Sequence, residues 1–221
     1  MCALSGETFN TVRLRFSKTG RARYISHLDL NRTMTRALRR AHIPLWYTEG
    51  FNRHPYITFA APLSLGVESD SERMDLRLTE PMEASELCAR LNAVMPEGLR
   101  FTGAAPAVCK AGDLGFARYR IALSLSPETV RAFLEQPSIP VQKTGKKGVV
   151  RELDLKASLE DTVLTPTGEG CALEVTLPCS SAATVNPSLL CEALRTFAGA
   201  ESLLPRVRRL ELYDGEHRVF L

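Results

Sequence analysis

The chain has no C-x-x-C pair. Its six cysteines, Cys2, Cys88, Cys109, Cys171, Cys179 and Cys191, are scattered, and none lies close to a histidine. That spacing suits neither zinc nor an iron–sulfur cluster, so no metal ligand set is expected. The opening "MCALSGETF" has neither the positive start nor the apolar run of a secretory signal. No segment approaches the roughly 18 consecutive apolar residues of a membrane span. Together these absences predict a reduced, cytoplasmic chain with no membrane partner. There is no G-x-S-x-G, H-E-x-x-H, Walker or dinucleotide-binding pattern, and no cofactor is expected.

What is present fits an ordinary globular protein. Of 221 residues, 44% are hydrophobic and 24% charged, enough for a well-buried core in one large domain or two small ones. The net charge of +3 hides an asymmetry. Residues 1–60 hold ten Lys/Arg against Glu7, Asp29 and Glu49, a balance of +7, so the remainder carries −4. A polyanionic partner for the N-terminal part would explain such a bias.

The hydrophobic pattern runs through two similar cycles. "TVRLRFSK" alternates Val12, Leu14 and Phe16 with Arg13, Arg15 and Ser17, the mark of a half-buried strand. Ser26 and Asp29 form an S-x-x-D capping signal, and Leu30, Met34, Ala37, Leu38 and Ala41 then make a single apolar stripe up to Pro44. Strands at "LWY", "YITFA" and "RMDLRL" follow, then a helix from Pro81 to about Val94 and a strand at "GLRFTGAA". A second cycle takes in "YRIALSL", a helix at "PETVRAFLEQ", strands at "IPVQK", "VRELDLKASLEDTVLT" and "CALEVTLP", a helix at "PSLLCEALRTFA" and a strand at "RVRRLELYD". The order β-α-β-β-α-β, met twice, predicts an α+β protein of two tandem ferredoxin-like units with antiparallel sheets. The boundary falls in "AVCKAGDLGFA", giving a basic domain 1–110 and a second domain 111–221.

Candidate binding residues gather in three places. Arg32, Arg36 and Arg39 recur at i, i+4 and i+7 nearly opposite the apolar stripe, with Arg40 to one side. A solvated helix face is the plain reading. Four arginines with no acid at i±4 also suit phosphate contact. The loop "YTEGFNRHPYITF" puts Arg53 and His54 among Phe51, Tyr56 and Phe59, aromatics that serve either as base-stacking platforms or as core plugs. "QKTGKKGVVR" places Lys143, Lys146, Lys147 and Arg151 around two glycines, a cationic hairpin or simply an exposed loop. His27 and His54 are the candidate acid–base pair should the chain be an enzyme; a hydrogen bond to a loop carbonyl is the structural alternative for His27, and the helix dipole accounts for His42.

The pieces "ISHLD", "RALRRA", "EGFN" and "HPYITFAAPLSLGVESDSE" resemble the opening signature of the radical-SAM-linked family, a bacterial domain found beside or fused to a cobalamin-binding radical SAM protein. The likeness is strong over residues 12–80 and looser through "KKGVVRELDL" and "VRRLELYD". Arg53 stands where the family signature has proline. No C-x-x-x-C-x-x-C is present, so the resemblance implies a partner of the radical enzyme, not that enzyme. The same opening is distantly similar to RAMP-type ferredoxin-like proteins that process CRISPR RNA, which implies an RNA-facing fold. The expectation is therefore a non-catalytic RNA-binding or substrate-presenting accessory protein of a radical SAM protein. Its alternatives are a metal-independent endoribonuclease or RNA-modifying enzyme using His27 and His54, and a protein-binding adaptor.

Overall fold

The computed structural model describes residues 10–144 and 148–221. They form two compact units, a first running to Ala111 and taking in Leu221, and a second comprising Gly112–Phe220. Each is α+β with an antiparallel sheet.

In the first unit the order is β1 (Asn10–Lys18), α1 (His27–Arg40), β2 (Ile57–Phe59), β3 (Glu68–Leu78), α2 (Ala84–Asn92) and β4 (Leu99–Pro106). The strands lie as β4-β1-β3-β2, every neighbouring pair antiparallel. Alternation decides the layering. Leu14 and Phe16 of β1, Met74, Leu76 and Leu78 of β3, and Leu99 and Phe101 of β4 turn to one face. There they meet Leu30, Met34 and Leu38 of α1 and Leu87 and Leu91 of α2. The apolar stripe read from the sequence is thus the packed face of α1. Helix α2 is shorter than the 81–94 expected, because Glu83 is still extended with ψ 137°.

The two helices of this unit close each other's C-termini. Arg40, the last residue of α1, donates to the carbonyl of Val94 just past α2 at 2.7 Å. In return Arg90 of α2 donates through Nε (3.0 Å) and Nη2 (2.7 Å) to the Ala41 carbonyl, and also to that of His42. Terminal carbonyls that would otherwise lack intrahelical partners are satisfied by cations, which the helix dipole also favours. His42 completes the stop in the left-handed region, φ 51°. Arg90→Ala is therefore expected to cost about 1.5–3 kcal/mol, as for hydrogen bonds to a charged group. Denaturant unfolding of the variant beside wild type measures it; a loss below about 0.5 kcal/mol would show that water replaces the guanidinium freely.

The second unit runs β5 (Leu114–Leu123), α3 (Pro127–Leu134), β6 (Pro140–Thr144), β7 (Val150–Asp154), β8 (Val163–Thr167), β9 (Gly170–Pro178), α4 (Pro187–Ala198) and β10 (Arg206–Asp214). Its sheet is ordered β10-β5-β9-β8, and β6 and β7 form a separate hairpin. Val130 and Phe133 of α3, Leu190 and Leu194 of α4, and Tyr119, Ile121, Leu173 and Val175 of the sheet are all buried. One expectation fails here. "VRELDLKASLEDTVLT" is not one strand but β7, a 3-10 turn over Lys156–Leu159, and β8. Asp154 breaks it: its carboxylate accepts from the backbone N–H groups of Ile139 (2.8 Å) and Lys156 (2.9 Å) and from the Ser138 hydroxyl (2.8 Å). Those bonds, the Lys156 N–H foremost, hold its pKa below the ordinary carboxylate value. Leu155 and Leu159 are then both buried, four residues apart, as in a helical turn.

Candidate nucleic-acid interface

Helix α1 begins as its sequence signal implied. Ser26 Oγ accepts from the Asp29 N–H at 3.1 Å, and the Ser26 hydroxyl donates to Asp29 Oδ2 at 2.7 Å. Asp29 has a second role, accepting from Arg32 at 3.2 Å. The Ser26 bond and then the Arg32 bond hold its carboxyl below the usual range. The acid absent at i±4 of these arginines thus lies at i−3 of Arg32. Arg32 stays exposed but is partly neutralised, and exposed pairs of this kind contribute little to stability. Arg36 and Arg39 are exposed, with no hydrogen-bond or ion-pair partner among the described residues. Arg40 has the capping role given above. The candidate stripe therefore resolves into two free cations, one paired cation and one structural one.

The loop after α1 is a finger extruded from an edge strand. Leu45 pairs with Leu78 of β3, and the Trp46 N–H donates to the Arg77 carbonyl. The chain then leaves the sheet and returns so that Ile57 pairs with Leu76. Between these points Tyr47 bridges Pro55, and the N–H groups of Thr48 and Tyr56 donate to the carbonyls of His54 and Trp46. At the neck the Arg77 guanidinium lies 4.2 Å from the Tyr56 ring centroid and 5.2 Å from that of Trp46. The Tyr56 ring is half-buried and already carries a cation. At the tip, Phe51 is fully exposed beside Arg53, which has no partner among the described residues. Phe59, by contrast, packs against the core.

Both candidate histidines make local contacts. His54 Nδ1 lies 3.1 Å from the Thr48 hydroxyl and 3.1 Å from the Asn52 carbonyl, inside the finger. His27 is the first residue of α1, its ring edge-on to Phe59 at 5.1 Å. No hydrogen bond or ring contact among the described residues joins the two. In the cationic hairpin, Lys143 lies opposite Arg151 in register. Lys143 Nζ donates to the Thr184 carbonyl, whereas Arg151 is exposed. Lys146 and Lys147 lie outside the described residues. Burial pushes the Cys191 thiol up to about 11, which leaves it protonated and unreactive at neutral pH. Among the described residues no group of three or more His, Cys, Asp or Glu is placed to hold a metal ion, and no helix is long and apolar enough to cross a membrane.

The sequence reading missed a second class of arginines, those on the sheet faces away from the helices. Arg15 and Arg100 of the first unit and Arg120 and Arg206 of the second are exposed strand residues, and Arg118 and Arg208 are partly buried ones. The signal was available: "RLRF", "RYRIAL" and "RVRRLEL" each place arginine on the outward phase of an alternating run.

A family model described as an uncharacterized protein conserved in bacteria (DUF2344) matches residues 11–187. The chain belongs to this family. The DUF2344 match runs from the second residue of β1 through the rest of the first unit and on through the second to Pro187, where α4 opens. The α1 arginines, the finger and the hairpin all lie inside the DUF2344 match. Among curated proteins nothing matches the chain.

Proposed function

We propose that this DUF2344 protein consists of two tandem ferredoxin-like units and acts as a cytoplasmic RNA-binding or substrate-presenting accessory protein of a radical SAM enzyme. Supporting the fold reading, each unit's sheet follows the same pattern: last strand, first strand, then the third and second of the four. The RAMP-like resemblance of the opening and the surplus of positive charge in residues 1–60 support the RNA reading. The radical SAM partner rests on the sequence resemblance alone.

The observation that carries the proposal is the outer face of α1. Arg36 and Arg39 are one turn apart, exposed and without an ion-pair partner among the described residues, a spacing suited to phosphates along a nucleic-acid backbone. Arg53 and Phe51 on the finger add a cation and an aromatic face.

The test is the Arg36→Gln/Arg39→Gln double variant, measured by fluorescence anisotropy with a structured RNA hairpin. Its stability is expected to change by no more than roughly 0.5 kcal/mol per site, because these exposed side chains have no hydrogen bond or ion pair among the described residues to lose. Its affinity for the hairpin is expected to fall. A folded double variant that binds like wild type would overturn the α1 interface.

A further inference from the structure

The sheet of the second unit leaves one face uncovered by its helices, and that face is not a neutral solvent surface. On β5 the inward phase is Ala117, Tyr119, Ile121 and Leu123, so Phe116, Arg118 and Arg120 point outward. In register, Arg208 of β10 lies directly opposite Arg120, and Arg206 opposite Ala122. Like charges directly across a strand pair oppose sheet formation. The opposing acids are Glu174 of β9, opposite Arg120, and Glu211 of β10, opposite Arg118. Glu174 is fully engaged: one carboxylate oxygen accepts from Arg118 and the other from Arg120. It fixes those two guanidiniums in place while leaving further N–H groups of each unbonded to it. Four arginines against two acids leave the face net positive.

A ring stack stands at one end of this row. The His217 ring lies over Phe116 with centroids 4.0 Å apart and planes 21° apart. His217 is exposed and sits in the left-handed region, φ 61°, which is unfavourable for a residue with a Cβ. The turn enforces that conformation: Asp214 accepts from the N–H groups of Glu216 and Arg218 and from Arg218 Nε, and the His217 N–H donates to the Asp214 carbonyl. A strained turn thus presents an aromatic ring flat, beside a row of arginines.

We infer that this face binds single-stranded RNA, one base stacking on His217 over Phe116 and the backbone phosphates running along Arg118, Arg120, Arg206 and Arg208. This deepens the RNA reading of the α1 surface and rests on it, but concerns a separate surface and a different form of RNA. Ring stacking is tolerant of base identity, and arginine meets phosphate through paired N–H donors, so the site selects unpaired strand over sequence. A duplex, its bases already stacked on each other, has none to offer His217.

The experiment uses the full chain with two labelled probes, a single-stranded oligouridine and a fully paired RNA duplex. His217→Gly removes the ring while suiting the left-handed backbone, so the fold is kept. It is expected to weaken oligouridine binding about 5- to 150-fold, the range for one stacked base, with duplex binding and the salt dependence unchanged. Arg206→Gln, which removes an exposed cation with no partner among the described residues, is expected to make oligouridine binding less salt-dependent by about 0.7 in log–log slope. Wild-type binding of oligouridine that is indifferent to both changes would overturn the inference. Binding of the duplex but not of oligouridine would overturn it too, while leaving the α1 reading intact. Binding of neither probe would remove both.

Discussion

Asp75→Ala is expected to lower the stability of the protein by about 3–5 kcal/mol, the range for removing one partner of a buried ion pair. The side chains of Arg13 and Asp75 are only 3% and 15% exposed. Their bridge is two-pronged, with Arg13 Nε and Nη2 donating to the two carboxylate oxygens at 2.7 and 2.8 Å. Nη1 and Nη2 also donate to the main-chain oxygens of Leu221 (2.8 Å) and Cys109 (2.7 Å). The guanidinium cannot neutralise itself, since arginine stays protonated at any accessible pH. Without Asp75 it loses both prongs of that bridge in a nearly water-free setting. Replacing both residues with leucine is expected to recover part of the loss but not all, because two backbone carbonyls would still lack their donor. Urea unfolding with unchanged m-value measures both variants. A loss below 1 kcal/mol in Asp75→Ala would mean that water already solvates the pair.

Leu38→Asp carries a comparable penalty by a different route. Leu38 is fully buried in the core that α1 and α2 form with β1, β3 and β4. The substitution removes the apolar side chain and buries an acid with no cation placed to meet it. Loss of the leucine alone costs about 2–5 kcal/mol, and burial of a polar group without a partner adds to that. Against a usual total stability of about 5–15 kcal/mol, the expected result is unfolding of the first unit at moderate temperature. Calorimetry would register it as a lost or strongly lowered transition. An unchanged melting temperature would place Leu38 on the solvent face and reverse the orientation of α1, and with it the exposure of Arg36 and Arg39.

That orientation was legible in the sequence because it is a matter of period. The i, i+4, i+7, i+8 spacing of Leu30, Met34, Ala37 and Leu38 admits only one inward face, and the Ser26–Asp29 signal fixes where the helix starts. Other features depend on contacts between residues far apart in the chain, which periodicity does not register. Nothing near Arg40 announces that the Val94 carbonyl will receive it, and nothing near Tyr56 announces Arg77 above its ring. The break after Asp154 was missed for a related reason: the alternation of Leu153, Leu155, Ala157 and Leu159 mimics a strand until the bond from Ile139 is known. For the interface, sequence identified charged residue types but not which charges were already satisfied. Arg32 and Lys143 proved partly engaged, Arg36 and Arg39 free, and the outward strand arginines were passed over because alternation was used to locate the core rather than the opposite face.

Under the proposed function, Arg36 and Arg39 on α1 hold the phosphates of RNA. Its most direct test is the affinity of the wild-type protein for a structured RNA hairpin across a salt series. Phosphate neutralisation releases condensed counterions, at about 0.7 to 0.9 in log–log slope per contact. With Arg36 and Arg39 both engaged, the binding constant is expected to fall with a slope of about −1.4 to −1.8 or steeper. In the Arg36→Gln/Arg39→Gln variant that slope should shrink by the same amount. Binding that does not respond to salt, or no binding at low salt, would contradict the account.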